Sequence, residues 1–266
     1  MKEGSIIEID YTGKAILTGN IFESTIEKKA ITAGIFNKEN QYKPMVVVVG
    51  EGHVLQGLET ALKEMKQGEE KKILVKPADG WGERKAENIA VVPLKQFKKE
   101  KMQPFPGLVV EINGRQGKIQ SVNGGRVRID FNNPLAGKDL EYELKIVREI
   151  IIPKEQVEAL YKKYFYMVGD EEKKLKIGQI DVEVTLSPRW SANLGQLKEA
   201  FSGLVTKHVK GFSKVKFVEE FVEKKEKKEE AKEKTKEETD KKSEAEKTSE
   251  KTQKTSKKPA NKKAQK

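Results

Sequence analysis

The stretch VVVVGEGHVLQGLETALKEM at residues 46–65 constrains the fold most. An apolar β-branched run passes through glycines into a helix that carries Leu55, Leu58, Leu62 and Met65 on one stripe, so a strand and an amphipathic helix are expected against one sheet. A dinucleotide site begins this way. Yet the glycines stand at Gly50, Gly52 and Gly57, a G-x-G-x-x-x-x-G spacing that moves the third away from where close helix packing needs it. No lysine occupies the P-loop position, and Gln67-Gly68 ends the helix just before the strand KKILVKP. A phosphate-holding βαβ unit is poorly supported.

Around this feature the chain reads as an α+β protein of several segments. SIIEIDY at 5–11 alternates as a half-buried strand does, and TGKAILTGNIFEST continues as a turn and a second strand with Phe22 inward. A polar excursion fills 26–44. From about residue 84 to 134 the character changes to short strands joined by Asn-Gly turns at Asn113-Gly114 and Asn123-Gly124, a strong meander signal. The strand EYELKIVREI then has no new partner nearby and is expected to return to the first sheet. The predicted domains are 1–85 plus 133–152, an inserted small β domain at 86–132, a compact α+β module at 153–221 and a charged tail at 222–266. In the third module, helices are expected at KEQVEALYKKYFY and from about 193 to 204, with single strands at KIGQIDVEVTLS and KVKFVEEFVE.

Hydrophobic and charged residues each make up 36% of the chain, which implies a substantial portion without a core. The tail accounts for it. Residues 223–266 hold 17 Lys and 11 Asp/Glu, six of the chain's net +11, and have no aromatic residue, so they bury too little apolar surface to offset the entropy of ordering. Cysteine is absent, which removes disulfides and thiolate metal sites. The first residues lack an apolar leader core and no run approaches the ~20 apolar residues of a membrane span, so a soluble cytoplasmic protein is expected. His53 and His208, the only histidines, stand far apart without a carboxylate cluster beside them, so no metal and no cofactor are expected.

Aromatic and apolar residues accumulate near the turns, and here a resemblance becomes specific. YTG, FEST, VLQGLETAL, GEEKKILV and GWGE, in that order, resemble the FKBP-type peptidyl-prolyl cis-trans isomerases over residues 4–83 and 134–150. The insertion followed by PLAGKDLEYELKI is similar to the SlyD-like subgroup, in which a flap domain interrupts the isomerase barrel, and the third module resembles that of the long archaeal members. The resemblance implies a half-barrel antiparallel sheet wrapped on a short helix. It also implies a glycine loop that lines an apolar cavity instead of holding phosphate. Tyr11, Phe22, Glu23, Val54, Leu55, Trp81 and Tyr142 are implied as catalytic, with Met45, Leu135 and the floor residue Leu58 contacting substrate. Three positions depart from the family pattern: Glu23 stands where an aspartate is common, Trp81 where many relatives have tyrosine, and Tyr142 where phenylalanine is common.

The implied activity is isomerisation of X-Pro bonds in unfolded or nascent polypeptides, together with a chaperone function of the flap. In the flap, Phe97, Met102, Phe105, Leu108 and Val109 are either its own small core or an exposed client-binding groove; the resemblance favours the groove. The alternative function is a catalytically silent module associated with the ribosome or nucleic acid, because cations on a flexible arm bind polyanions. The interleaved Glu of the tail argues for weak contact, and a solvating bristle is the blander reading. For the third module, a helix packed on its sheet stands against a homodimer formed through 153–221.

Overall fold

The computed structural model describes residues 1–221, and the lysine-rich segment read at 222–266 lies outside the described residues. The chain begins with β1 (Ile6–Ala15), β2 (Ile21–Ser24), α1 (Glu27–Thr32), β3 (Met45–Val48), α2 (Gln56–Glu64) and β4 (Glu70–Val75). Its middle carries β5 (Ile89–Pro93), α3 (Leu94–Lys99), β6 (Val109–Ile112), β7 (Arg115–Asn123) and β8 (Arg126–Asp130). It closes with β9 (Leu140–Glu149), α4 (Pro153–Tyr164), β10 (Lys173–Ile177), β11 (Asp181–Leu186), α5 (Pro188–Ser191), α6 (Gly195–His208) and β12 (Lys214–Glu219). The polar excursion at 26–44 contains α1, whose one buried residue, Ala30, leaves no apolar stripe for a pattern to reveal.

The strand expected to return does so at the centre. β9 pairs antiparallel with β1 on one edge and with β4 on the other. The far edge of β1 is divided, with Ile6 to Ile9 bonded to β3 and Thr12 to Lys14 bonded to β2. The curled antiparallel half-barrel wraps on α2, whose Leu58, Ala61, Leu62 and Met65 enter one core with Ile7, Ile9, Val47, Val49, Leu140 and Leu144.

Reading SIIEIDY as half-buried is corrected at its start. Neighbouring residues of a strand point to opposite faces, so Ile6 and Ile7 cannot share a core. Ile7 enters the half-barrel core, whereas Ile6 joins Val48 and Ile150 in a second core with Val157, Leu160, Phe165, Val184 and Phe201. The run of four valines divides the same way, Val47 and Val49 to one core and Val46 and Val48 to the other. This end of the sheet is covered on both faces, the condition that favours continuous apolar runs over alternation. The second core lies under a three-stranded sheet of order β10-β11-β12. KIGQIDVEVTLS, expected as one strand, is two, because the chain turns at Gly178, whose N–H donates to the Asp181 carbonyl at 2.8 Å. β12 runs parallel to β11, a connection made through α6.

The middle segment forms a four-stranded antiparallel sheet of order β5-β8-β7-β6. Its turns are tight. Asn113 and Gly114 both take positive φ between β6 and β7, and Gly124 and Gly125 do so between β7 and β8, one residue later than the Asn-Gly pair suggests. Phe97, Val110, Ile119, Val127 and Ile129 make its core. Where the chain enters and leaves, Asn132 accepts from the Lys85 N–H and donates to the Lys85 carbonyl, and Arg84 pairs with Asp130.

Two-sided burial has a measurable consequence. Truncation of Ile6 to Ala is expected to cost about 2–5 kcal/mol in denaturant unfolding, as for a core site, whereas Leu17→Ala, at a solvent-exposed turn, is expected to stay within about 0.5 kcal/mol.

Candidate active site

β1 and β9 place Gly13 directly opposite Tyr142. A Cβ at Gly13 would stand 2.8 Å from Tyr142 Cε1 and 2.7 Å from Phe22 Cζ, so the glycine lets both rings lie on the backbone. The pairing of β1 with β2 is irregular: Gly13 faces Glu23, the next residue Lys14 faces Ile21, and Phe22 is the extra residue of a bulge. The bulge re-aims the strand, and Phe22 and Glu23, which alternation would send to opposite faces, both reach Tyr142. The Phe22 ring meets Tyr142 edge-on, with centroids 5.8 Å apart, and Tyr11 lies 6.1 Å from the same ring. The Tyr142 hydroxyl donates to Glu23 Oε1 at 2.6 Å. Two departures from the family pattern thus form one hydrogen bond.

Tyr11, Phe22, Met45, Val54, Leu55, Leu58, Leu135 and Tyr142 share a single apolar cluster. Leu58 and Tyr142 are buried in it, and the other six are partly exposed. Trp81 is the outlier. It stands at the rim, 43% exposed and outside the apolar cluster. The Leu55 N–H precedes the first turn of α2 and has no acceptor among the described residues, whereas the Leu55 carbonyl accepts from the Leu58 and Glu59 amides.

The electrostatics of this wall are those of a dry site with one acid. Burial pushes the Glu23 carboxyl above its usual range, and the Tyr142 hydrogen bond partly offsets this. Burial and the Glu23 charge push the Tyr11 phenol up to about 12. Tyr142 is raised further, by burial first and by its bond to Glu23 second. Both phenols are therefore protonated donors at neutral pH.

A cavity of about 790 Å³ opens beside this wall, but only Tyr11, Phe22, Glu23 and Met45 of the expected residues line it. Its other sides come from residues 35–46 and from α4. Val54, Leu55, Leu58, Trp81, Leu135 and Tyr142 lie outside its lining. In the middle segment, the expectation for Phe97 is corrected: it is 3% exposed and fills the segment's own core, because α3 packs that face on its sheet. Leu108 packs partly against the same core, while Met102, Phe105 and Val109 leave apolar surface exposed.

Comparison with known proteins decides the family. The model for FKBP-type peptidyl-prolyl cis-trans isomerases matches residues 1–98, and that described as FKBP26, IF domain matches 90–135. The chain is 32% identical over 146 residues to a short-type peptidyl-prolyl cis-trans isomerase of Methanocaldococcus jannaschii, covering 55% of this chain and 92% of that one. It is 32% identical over 109 residues to a probable FKBP-type 16 kDa peptidyl-prolyl cis-trans isomerase of Pseudomonas fluorescens, covering 39% and 71%. With the FKBP-type peptidyl-prolyl cis-trans isomerase SlyD of Helicobacter pylori it shares 24% identity over 162 residues, covering 60% and 79%. The chain belongs to the FKBP-type peptidyl-prolyl cis-trans isomerases. In this FKBP-type enzyme the loop that resembles a nucleotide site leads instead into the apolar cluster.

Sequence reasoning missed the residues that hold that loop. Glu59, buried on α2, accepts from the Gly50 N–H through Oε2 at 2.8 Å, and its other oxygen has no hydrogen-bond partner among the described residues. His53 accepts from the Val48 N–H through Nδ1 at 3.0 Å, which leaves Nε2–H to donate to the Tyr164 hydroxyl at 3.1 Å. Glu51 pairs with Lys207 and His208, each at 2.7 Å. Lys163 donates to the Val46 carbonyl at 2.7 Å, and burial lowers its ammonium to about 8. The sequence signal was the pair of polar residues in GEGH, Glu51 and His53, but the Lys207, His208 and Tyr164 that they reach lie more than a hundred residues away.

Burial, reinforced by the Lys163 charge, lowers the His53 imidazole to about 4. Since its ordinary value is about 6.5, the unfolded chain takes up a proton in this window and the folded chain resists it. Stability is expected to be complete above about pH 6.5 and to fall as pH drops toward 4. Thermal melts at pH 7.5 and 5 check this, and His53→Asn, which keeps an acceptor for Val48, is expected to narrow the difference.

Proposed function

We propose that this enzyme accelerates the isomerisation of X-Pro bonds in unfolded or nascent polypeptides of the cytoplasm by desolvating the bond in the Tyr11–Phe22–Leu55–Tyr142 cluster. The observation that carries the reading is the hydrogen-bonded Tyr142–Glu23 pair set in an apolar, aromatic wall. The reaction breaks no covalent bond. Twisting the C–N bond forfeits amide resonance behind a barrier of ~18–20 kcal/mol, and the twisted amide carries less separated charge than the planar one. Water on the carbonyl therefore favours the planar form, and a wall that strips it favours the twist. Lowering the barrier by about 4 kcal/mol gives roughly a thousandfold acceleration.

In this reading Glu23 takes the Tyr142 proton donor out of competition with substrate, which keeps the wall dry. The Leu55 N–H and the Trp81 indole N–H are the donors for a substrate backbone carbonyl other than that of the bond being twisted. They hold the chain in place without favouring the planar amide. The exposed Met102, Phe105 and Val109 of the inserted segment supply the apolar surface for capture of unfolded chain, and capture raises the concentration of X-Pro bonds at the cluster.

The test is a pair of assays, a blocked proline tetrapeptide and the proline-limited refolding of a protein. Trp81→Ala is expected to lower kcat/KM on the tetrapeptide about tenfold, the worth of one oriented donor. The double variant Phe105→Ser, Val109→Ser is expected to lower the ratio of refolding to tetrapeptide activity by about tenfold. If Trp81→Ala keeps full activity, its role is removed; an unchanged ratio removes the capture role.

A further inference from the structure

The 790 Å³ cavity is of ligand-site size, and four of its lining residues, Tyr11, Phe22, Glu23 and Met45, belong to the proposed prolyl site. Hollow and site therefore share one wall. The opposite wall comes from outside the half-barrel: α4 contributes Glu158 and Lys162, and Tyr166 follows just beyond its end. Tyr42 and Ile35 close the third side.

The α4 wall is fixed in place. Its helix shares a core with Ile6 and Val48 of the half-barrel sheet and with Ile150 just after β9, and Lys163 donates to the Val46 carbonyl, next to Met45. Much of the charge facing the cleft is already used, since Arg148 holds Glu8 at 2.8 Å and Glu155 at 3.4 Å. Glu158, Lys162 and Glu39 carry no ion pair among the described residues, and the Tyr166 ring is 60% exposed. The cleft thus offers unpaired charges of both signs beside aromatic and apolar surface, the chemistry of a polypeptide-binding groove.

We infer that the C-terminal module forms one side of the substrate cleft, and that α4 and Tyr166 bind the stretch of polypeptide flanking the proline seated in the Tyr11–Phe22–Tyr142 cluster. The occupant is the substrate chain itself, because the cleft shares Tyr11, Phe22, Glu23 and Met45 with the prolyl site, and a segment leaving that site over Met45 enters it. This inference rests on the isomerase reading above. It makes the C-terminal module a determinant of which chains are processed, not only a support.

The test compares kcat/KM of the full chain on a blocked proline tetrapeptide and on an extended peptide with the same central X-Pro bond, by exchange NMR. The wild type is expected to favour the extended peptide. Tyr166→Ala and Lys162→Glu, both at exposed positions, are each expected to lower the ratio of extended to short activity roughly fivefold, the effect of losing about 1 kcal/mol of contact. A wild type that treats both peptides alike, or folded variants that leave the ratio unchanged, overturns the inference while the tetrapeptide activity still stands. Absence of activity on the tetrapeptide itself overturns the isomerase reading and this inference together.

Discussion

The contact between Tyr142 and the bare backbone of Gly13 sets the rest of the site. It requires β9 to return beside β1 after the whole inserted segment, and it requires a residue without a side chain at the crossing. Given both, the bulge at Phe22 brings a second ring and the Glu23 carboxyl onto the same phenol. Remove the glycine and the rings are pushed off the sheet. Remove the bulge and alternation sends Phe22 or Glu23 to the outer face.

A second constraint comes from the opposite face of the same sheet. The Ile6-Ile7 pair and the four valines at 46–49 supply two cores, so the half-barrel and the C-terminal module meet across shared strands. The loop between β3 and α2 lies at that junction and is tied by Glu59, His53 and Glu51 to partners on both sides. A loop so anchored can present Val54 and Leu55 in one arrangement, which is what desolvation of a substrate demands of a wall.

Much of this was legible in the sequence, and the reasons differ by element. The stripe Leu58, Leu62 and Met65 specified α2 by its period, and the Asn113-Gly114 turn specified a hairpin by its need for positive φ. The identities of Tyr11, Phe22, Leu55 and Tyr142 came from resemblance, since each aromatic alone is ordinary core filling. Double-sided burial was written in IIEI but was read as alternation, and the continuous VVVV run did not say what covers it, because one strand does not disclose what lies on its other face. Phe97 was misassigned for a related reason: an apolar residue on a short helix looks the same in sequence whether it faces a core or a client. The bulge at Phe22, the His53–Tyr164 link and the α4 wall depend on partners distant in sequence, and no local pattern carries them.

The central claim is that the rate comes from stripping water from an amide, with no proton in flight. The solvent deuterium isotope effect on kcat/KM for a proline tetrapeptide, measured at neutral pH where Tyr11 and Tyr142 stay protonated, addresses it most directly. The expected ratio of rates in H₂O and D₂O is about one, because no proton is transferred as the bond turns. A ratio of about two or more would mean that Glu23 or a tyrosine transfers a proton in the transition state, and would contradict the account.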